Sequence, residues 1–266
     1  MKLIALSLLS LILGIAVSTV RAQPELSFVT QDFGPFQVDS DTGARGPAVE
    51  IVRRACEISR INCRVRLYPW RRALQLAHDA AVNGLFVIGR NPEREDWLYF
   101  SEPIIATEYG FFVPLNDTGN YERIDDFANL RVGVFGPSNT SRSLTQIAKK
   151  LGNLTMEMSP DDLDGFRKLN ANRIQAVYSN KSVGMYIRQQ LSLTNIRYAH
   201  SDRKLLYYIG FVRAVTPKTI VDDFNEALRE MNMMGELQEI LLRHNLTPAQ
   251  LSISPKKLYT QAGGQQ

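Results

Sequence analysis

"RVGVFGPSNTSRSLTQIAKKLG", residues 131–152, holds the reading that decides the fold. Arg131 to Phe135 is a short apolar strand pattern, and Gly136-Pro137 ends it. Ser138 and Asn139 are helix-capping residues, and the helical pattern after them closes at Gly152. A strand, a tight turn and a capped helix form the repeating unit of a parallel α/β sheet. The unit recurs downstream. "LTMEM" is a strand, "SPDDLDGFRKLNANR" a capped helix, "IQAVYS" a strand and "NKSVGMYIRQQLS" a helix.

The same order runs upstream. "ELSFVT" is a strand, and "GPAVEIVRRACEIS" has Val49, Ile51, Val52, Ala55 and Ile58 at helical spacing. "CRVRLYP" alternates, with Val65 and Leu67 on one face; "WRRALQLAHDAAV" is a helix and "GLFVIG" a buried strand. The pattern restarts after residue 120, which predicts two α/β lobes. "YYIGFVRA" is a further strand. "PKTIVDDFNEALREMNMMG" is an amphipathic helix from Pro217 to Gly235, with Ile220, Val221, Phe224, Leu228 and Met231 on its apolar face. Residues 251–266 lose periodicity and read as a tail.

The chain has 266 residues, 44% hydrophobic and 22% charged, which is a soluble globular composition. Residues 1–22 are set apart. Met1-Lys2 is a short positive start, Leu3 to Val17 an apolar run, and Val20-Arg21-Ala22 a small-residue cleavage pattern. They read as a cleavable secretory signal peptide, so a periplasmic destination is expected. Without Lys2 and Arg21 the formal net charge falls from +4 to +2, too small a surplus to predict a nucleic-acid partner.

Cys56 and Cys63 are the two cysteines of the chain. In an oxidising destination a disulfide is the favoured reading, two buried free thiols the alternative. His78, His200 and His244 are isolated, and the sequence holds no HExxH, GxSxG or P-loop motif. No catalytic residue, cofactor or metal is predicted. The notable polar feature is the arginine pair Arg90 and Arg94 directly after the strand at 84–89. Guanidinium forks match carboxylates, so an anion clamp is one reading and solvated loop charge the other.

Several segments in order resemble the family 3 solute-binding proteins, the periplasmic amino-acid-binding type. They are "TQDFGPFQ", "GPAVEIVRRACE", "INCRVRLYPWRRALQLA", "EREDWLYFSEP", "DDFANLRVGVFGPSNTS" and "TIVDDFNEALREMNMMGELQEIL". The resemblance implies the type II periplasmic binding protein fold: two α/β lobes, a central cleft and two hinge strands. Lobe 1 would comprise residues 23–108 and 208–250, and lobe 2 residues 109–207, with crossings near 106–109 and 204–209. The Cys56–Cys63 spacing also matches a disulfide found in some of these proteins.

By the same resemblance Arg94 would hold a ligand carboxylate, aided by Ser138, Asn139 and Thr140. Phe33 and Trp70 would sandwich the ligand, and Arg90 would add field at the rim. Asn180 stands where the family usually places an acid for an α-ammonium. The site therefore reads as cationic, suited to an organic acid, an acidic amino acid or a peptide-like compound. The implied role is capture of a small carboxylate-bearing solute, by a monomer, for an inner-membrane ABC permease. A ligand-presenting sensor for a membrane receptor is the alternative. A dehydratase-like enzyme, with Glu93 or Glu102 as its acid or base, is a third reading.

Overall fold

A computed structural model describes residues 24–251. The signal-peptide reading of residues 1–22, and all of the tail beyond Leu251, lie outside the described residues.

The first βαβαβ unit is β1 (Glu25–Thr30), α1 (Pro47–Ile58), β2 (Asn62–Leu67), α2 (Trp70–His78) and β3 (Gly84–Gly89). A short helix α3 (Pro92–Glu95), β4 (Leu98–Phe100) and the long strand β5 (Ile105–Pro114) follow. The second unit is β6 (Arg131–Phe135), α4 (Asn139–Leu151), β7 (Thr155–Ser159), α5 (Asp162–Asn170) and β8 (Ala176–Asn180). α6 (Lys181–Gln190), β9 (Ile196–Val212), α7 (Lys218–Met233), α8 (Glu236–Leu242) and β10 (Thr247–Pro248) complete the chain.

The principal strand order is β2-β1-β3-β9-β5-β8-β6-β7. Pairing within each unit is parallel. β9 and β5 join the units as antiparallel strands, in register from Ile105↔Tyr207 to Pro114↔Ile196. The expected strand "YYIGFVRA" is thus the end of a 17-residue strand, β9. The register of β5 and β9 shifts beside Gly110, where a Cβ would stand 2.1 Å from the His200 carbonyl oxygen; only glycine permits that approach.

One core cluster runs across both units, taking in Phe166 of α5, Val177 of β8 and Val183 of α6, and a second lies within the second unit. Phe28, Ile51, Phe86, Phe211, Phe224 and Leu228 anchor the first cluster where α1, α7 and α8 cover the first unit's side of the sheet. Phe111, Phe127, Val134, Leu144 and Tyr178 anchor the second. Burying each such side chain contributes about 1.5–3 kcal/mol. The segment 219–241 does not continue as one helix: Gly235, at φ 76°, separates α7 from α8. Cys56 and Cys63 form a disulfide between α1 and β2.

Candidate functional site

β3 is buried along its whole length, as its apolar run requires. It is bulged between Phe86 and Ile88, and Val87 there has φ 55°. A β-branched residue in that region is strained by about 1–3 kcal/mol, a cost that folds sustain chiefly beside functional groups. Two residues on, the Gly89 carbonyl accepts a 2.7 Å hydrogen bond from Arg94 Nη1. Asn91 caps α3 by accepting from the Arg94 N–H at 2.9 Å, and so fixes the root of that arginine.

Arg94 is 7% exposed. Its guanidinium lies 5.6 Å from the centre of the Trp70 ring. Among the described residues no carboxylate pairs with it. Burial brings its pKa down to about 10, and the Arg142 charge pushes the same way. A desolvated cation without a counter-ion is costly unless something supplies the missing anion. Arg90 is different: it is exposed, and its Nε meets Glu95 at 2.5 Å.

The tip of the second unit faces this arginine. Asn91 Nδ2 donates to Asn139 Oδ1 at 3.0 Å. A Cβ on Gly89 would stand 2.8 Å from Asn139 Nδ2, so glycine admits this contact. Ser138 is occupied as the α4 cap: its hydroxyl accepts from the Ser141 N–H at 3.1 Å, and its own N–H donates to Ser141 Oγ at 3.0 Å. The N–H groups of Asn139 and Thr140 have no intrahelical acceptor and remain as donors at the positive end of α4.

Between the units stand two tyrosines that the sequence reading did not single out, Tyr109 on β5 and Tyr207 on β9. Burial raises the pKa of both hydroxyls. Tyr109 interacts with Thr140 and Tyr207, and also feels the Arg94 charge. Phe33 meets Tyr207 edge-on, with centroids 6.3 Å apart. Asn180 is 2% exposed and engaged at both ends of its amide. Its oxygen accepts from the N–H groups of Ser182 and Val183 and from the Thr107 hydroxyl at 2.9, 3.3 and 3.1 Å. Its nitrogen donates to the Tyr207 hydroxyl at 3.1 Å. A carboxylate there could only accept from that hydroxyl, not donate to it.

Phe33 and Trp70 line a cavity of about 710 Å³ together with Tyr68, Arg71, Asp162 and Tyr186. Asp162 is the other residue missed from sequence. It opens α5, is half-buried, and accepts from Ser179 Oγ at 2.5 Å. Burial raises its pKa to about 6, and Asp161 pushes it the same way. A smaller cavity of about 520 Å³ lies beside Gly89 and Asn139, but its Arg142 and Glu93 pair with each other at 2.7 Å.

Arg94, Trp70, Phe33, Asn139, Thr140 and Asn180 are therefore gathered around the Gly89 turn and the tyrosine pair. Arg90 sits apart, in its own ion pair. Among the described residues no cluster of three or more His, Cys, Asp or Glu side chains is placed to hold a metal ion.

Residues 27–247 match the bacterial extracellular solute-binding proteins, family 3. The chain belongs to that family. It is 24% identical over 243 residues to the arginine-binding periplasmic protein of Mannheimia haemolytica, a match spanning 88% of this chain and 95% of that protein. Among solved structures, it resembles a histidine kinase sensor domain with similarity to periplasmic binding proteins. That likeness has a TM-score of 0.76, 17% identity, and 86% of this chain against 98% of the other. It also resembles an ancestral arginine-binding protein bound to arginine, with a TM-score of 0.74, 15% identity and 84% against 99% coverage. The fold of this solute-binding protein is that of the type II periplasmic binding proteins, as the resemblance implied.

Proposed function

We propose that this exported solute-binding protein captures a small polar solute through its carboxylate and delivers it, as a monomer, to an inner-membrane ABC permease. The observation that carries the reading is Arg94, a buried guanidinium with no carboxylate partner among the described residues. A bound carboxylate would supply the missing charge, with the Asn139 and Thr140 N–H groups as further donors. The arginine-binding relative supports an amino acid as the solute class.

β5 and β9 serve as the hinge. They run antiparallel between the two units, and β5 changes register against β9 beside Gly110. Residues 23–108 and 208–250 then move against residues 109–207, and the solute stabilises the closed arrangement by its differential affinity for it. The protein acts as a binder, not a catalyst. The two acids considered for catalysis are held in ion pairs, Glu93 with Arg142 and Glu102 with Arg229 at 2.9 Å. A second reading keeps the same site and changes only the partner: a membrane sensor in place of a permease. The likeness to a kinase sensor domain favours it.

The test is titration calorimetry on wild type and Arg94→Ala, with solutes selected from amino acids and organic acids by thermal shift. Removing one side of a buried charged pair costs about 3–5 kcal/mol, or two to four decades in Kd. A folded Arg94→Ala variant that binds within about threefold of wild type would remove the carboxylate anchor.

A further inference from the structure

A different cavity, of about 1080 Å³, lies against the hinge strand β5. It sits at a gap in the sheet. β10 pairs with β5 at Ile105 and Ala106, and β8 pairs with it from Tyr109 to Phe112. Between them Thr107 and Glu108 have no strand on that edge, and both line the cavity. One wall is α6 of the second unit, and another is residues 244–247 of the first. The cavity therefore touches both units and the strand that joins them.

Its charges do not balance. Lys181, Arg188 and Lys204 line it against Glu108 alone. Lys204 stands opposite Glu108 in the β5–β9 register, yet Glu108 pairs with Lys181 at 2.7 Å and accepts from Ser201 Oγ at 2.9 Å. Among the described residues neither Lys204 nor Arg188 meets a carboxylate. Arg188 Nε is buried without a hydrogen-bond partner, and Nη1 has the Met185 sulfur, a weak acceptor, at 3.3 Å. A buried donor left unmade is costly, and an anion would satisfy it. Met185, Leu193 and Leu246 add apolar surface. Tyr186 separates this cavity from the one that Phe33 and Trp70 line, since it borders both. Its ring lies so close to Gly34 of the first unit that a Cβ there would stand 2.2 Å away.

We propose that the hinge cavity is a second ligand site, which takes a small organic anion with an apolar body and holds the two units together. The anionic head meets Arg188 and Lys204, and the body lies on Met185, Leu193 and Leu246. An occupant in contact with both units favours the arrangement in which Asn91 meets Asn139 and Tyr186 meets Gly34. By linkage it raises the affinity of the first site for its solute. The site itself stands without the Arg94 reading; its effect on the units rests on β5 and β9 as the hinge.

The test uses 1-anilinonaphthalene-8-sulfonate as the anionic probe, and N-phenyl-1-naphthylamine, which shares its rings and lacks the sulfonate, as the neutral one. Both are titrated by fluorescence into wild type and Arg94→Ala, the second to set the first site aside. In each protein the sulfonate should bind saturably and about tenfold or more tighter than the amine. Arg188→Gln with Lys204→Gln, added to either, should weaken the sulfonate about tenfold or more, the range of a hydrogen bond between charged groups. Equal affinity for the two probes, no saturation by about 1 mM, or a loss under about threefold overturns the site. Small-angle scattering reads the hinge without any solute. The sulfonate should make wild type more compact and leave the double variant unchanged; no compaction in wild type overturns the hold on the units. A solute found by thermal shift should then bind about fivefold or more tighter with the sulfonate present, and unchanged binding or mutual displacement overturns the linkage. Failure of the Arg94 reading shows separately, as an Arg94→Ala variant that binds solute like wild type.

Discussion

The two units of this protein are built alike and charged unlike. The first orders its strands β2-β1-β3 and then the joining strand β9; the second orders them β7-β6-β8 and then β5. Both place polar side chains beyond the ends of their parallel strands, where open α/β sheets hold ligands. The first unit delivers a guanidinium on α3, after its third strand, with Trp70 beside it. The second delivers a carboxyl at the start of α5, after its second strand. The repeat therefore determines where a site can form, and loop chemistry determines what it recognises. Neither charge is neutralised within its own unit.

The largest effect separates the two arginines of the first unit. Arg94→Ala is expected to weaken solute binding by two to four decades, about 3–5 kcal/mol, and Arg94→Lys to recover little, because an ammonium cannot reproduce the planar fork. Arg90→Ala should cost under about 1 kcal/mol, since Arg90 is exposed and already paired with Glu95. Calorimetry on the three variants checks this. Equal losses at both arginines would dissolve the distinction between anchor and rim.

In the second unit the sharpest measurement is a pH profile of stability. Burial raises the Asp162 pKa from 3.8 to about 6. Its contribution to stability is therefore fully present below about pH 4 and is lost as the pH rises through about 6. Asp162→Asn removes that loss, so its advantage over wild type should grow from near zero at about pH 4 to about 3 kcal/mol at about pH 8. The groups that could mask this are few. Asp161 adjoins it; Asp32, Asp39 and Arg71 share the cavity; Tyr109 and Tyr207 are within reach of its charge. Lys168 is held by Glu157 and Asp164, and Lys181 by Glu108. Urea unfolding of both proteins across that range decides it, and parallel curves would mean that Asp162 is not desolvated.

The disulfide is the next difference between the units, since Cys56 and Cys63 both lie in the first. A loop this short limits the entropic effect to about 2 kcal/mol. Cys56→Ser with Cys63→Ser should lower stability by that amount and leave solute affinity unchanged, because the bond lies between α1 and β2, away from the cavity. A large loss of affinity would show that the first unit's packing is coupled to the site.

Most of this comparison was legible before the structure. The helices α1, α2, α4, α5 and α7 carry apolar stripes, and α4 and α5 also carry side-chain caps, so each could be read alone. β5 and β9 could not be read so fully. "IATEYGFFVP" holds Glu108 and Gly110 inside a strand, and "IRYAHSDRKL" is polar along the half of β9 that is not deeply buried. Their stability comes from pairing with each other across some 90 residues of chain. The site divided in the same way. Arg94 declared itself as a charge beside a buried strand. Asp162 did not, because acidic residues at helix starts are ordinary and "SPDDLD" reads as capping. Tyr109 and Tyr207 were hidden because their meeting depends on the β5–β9 register.

The smallest expected effect concerns an ion pair that spans the two units beside the Gly89 turn. Glu93 of the first unit meets Arg142 of the second at 2.7 Å, and both side chains are more than half exposed. Such pairs contribute about 0.2–1 kcal/mol. Arg142 also acts against binding-site stability in another way, since its charge bears on Arg94. Arg142→Ala therefore removes a weak latch and relieves a weak repulsion, and the two effects oppose each other. The double-mutant cycle with Glu93→Ala isolates the pair. Its coupling in solute affinity should stay below about 1 kcal/mol at low ionic strength and vanish near 1 M salt, where the screening length is about 3 Å. A coupling of about 2 kcal/mol or more that survives salt would make this contact a latch in its own right. Closure would then depend on the rim of the cleft, and not chiefly on a solute held by Arg94.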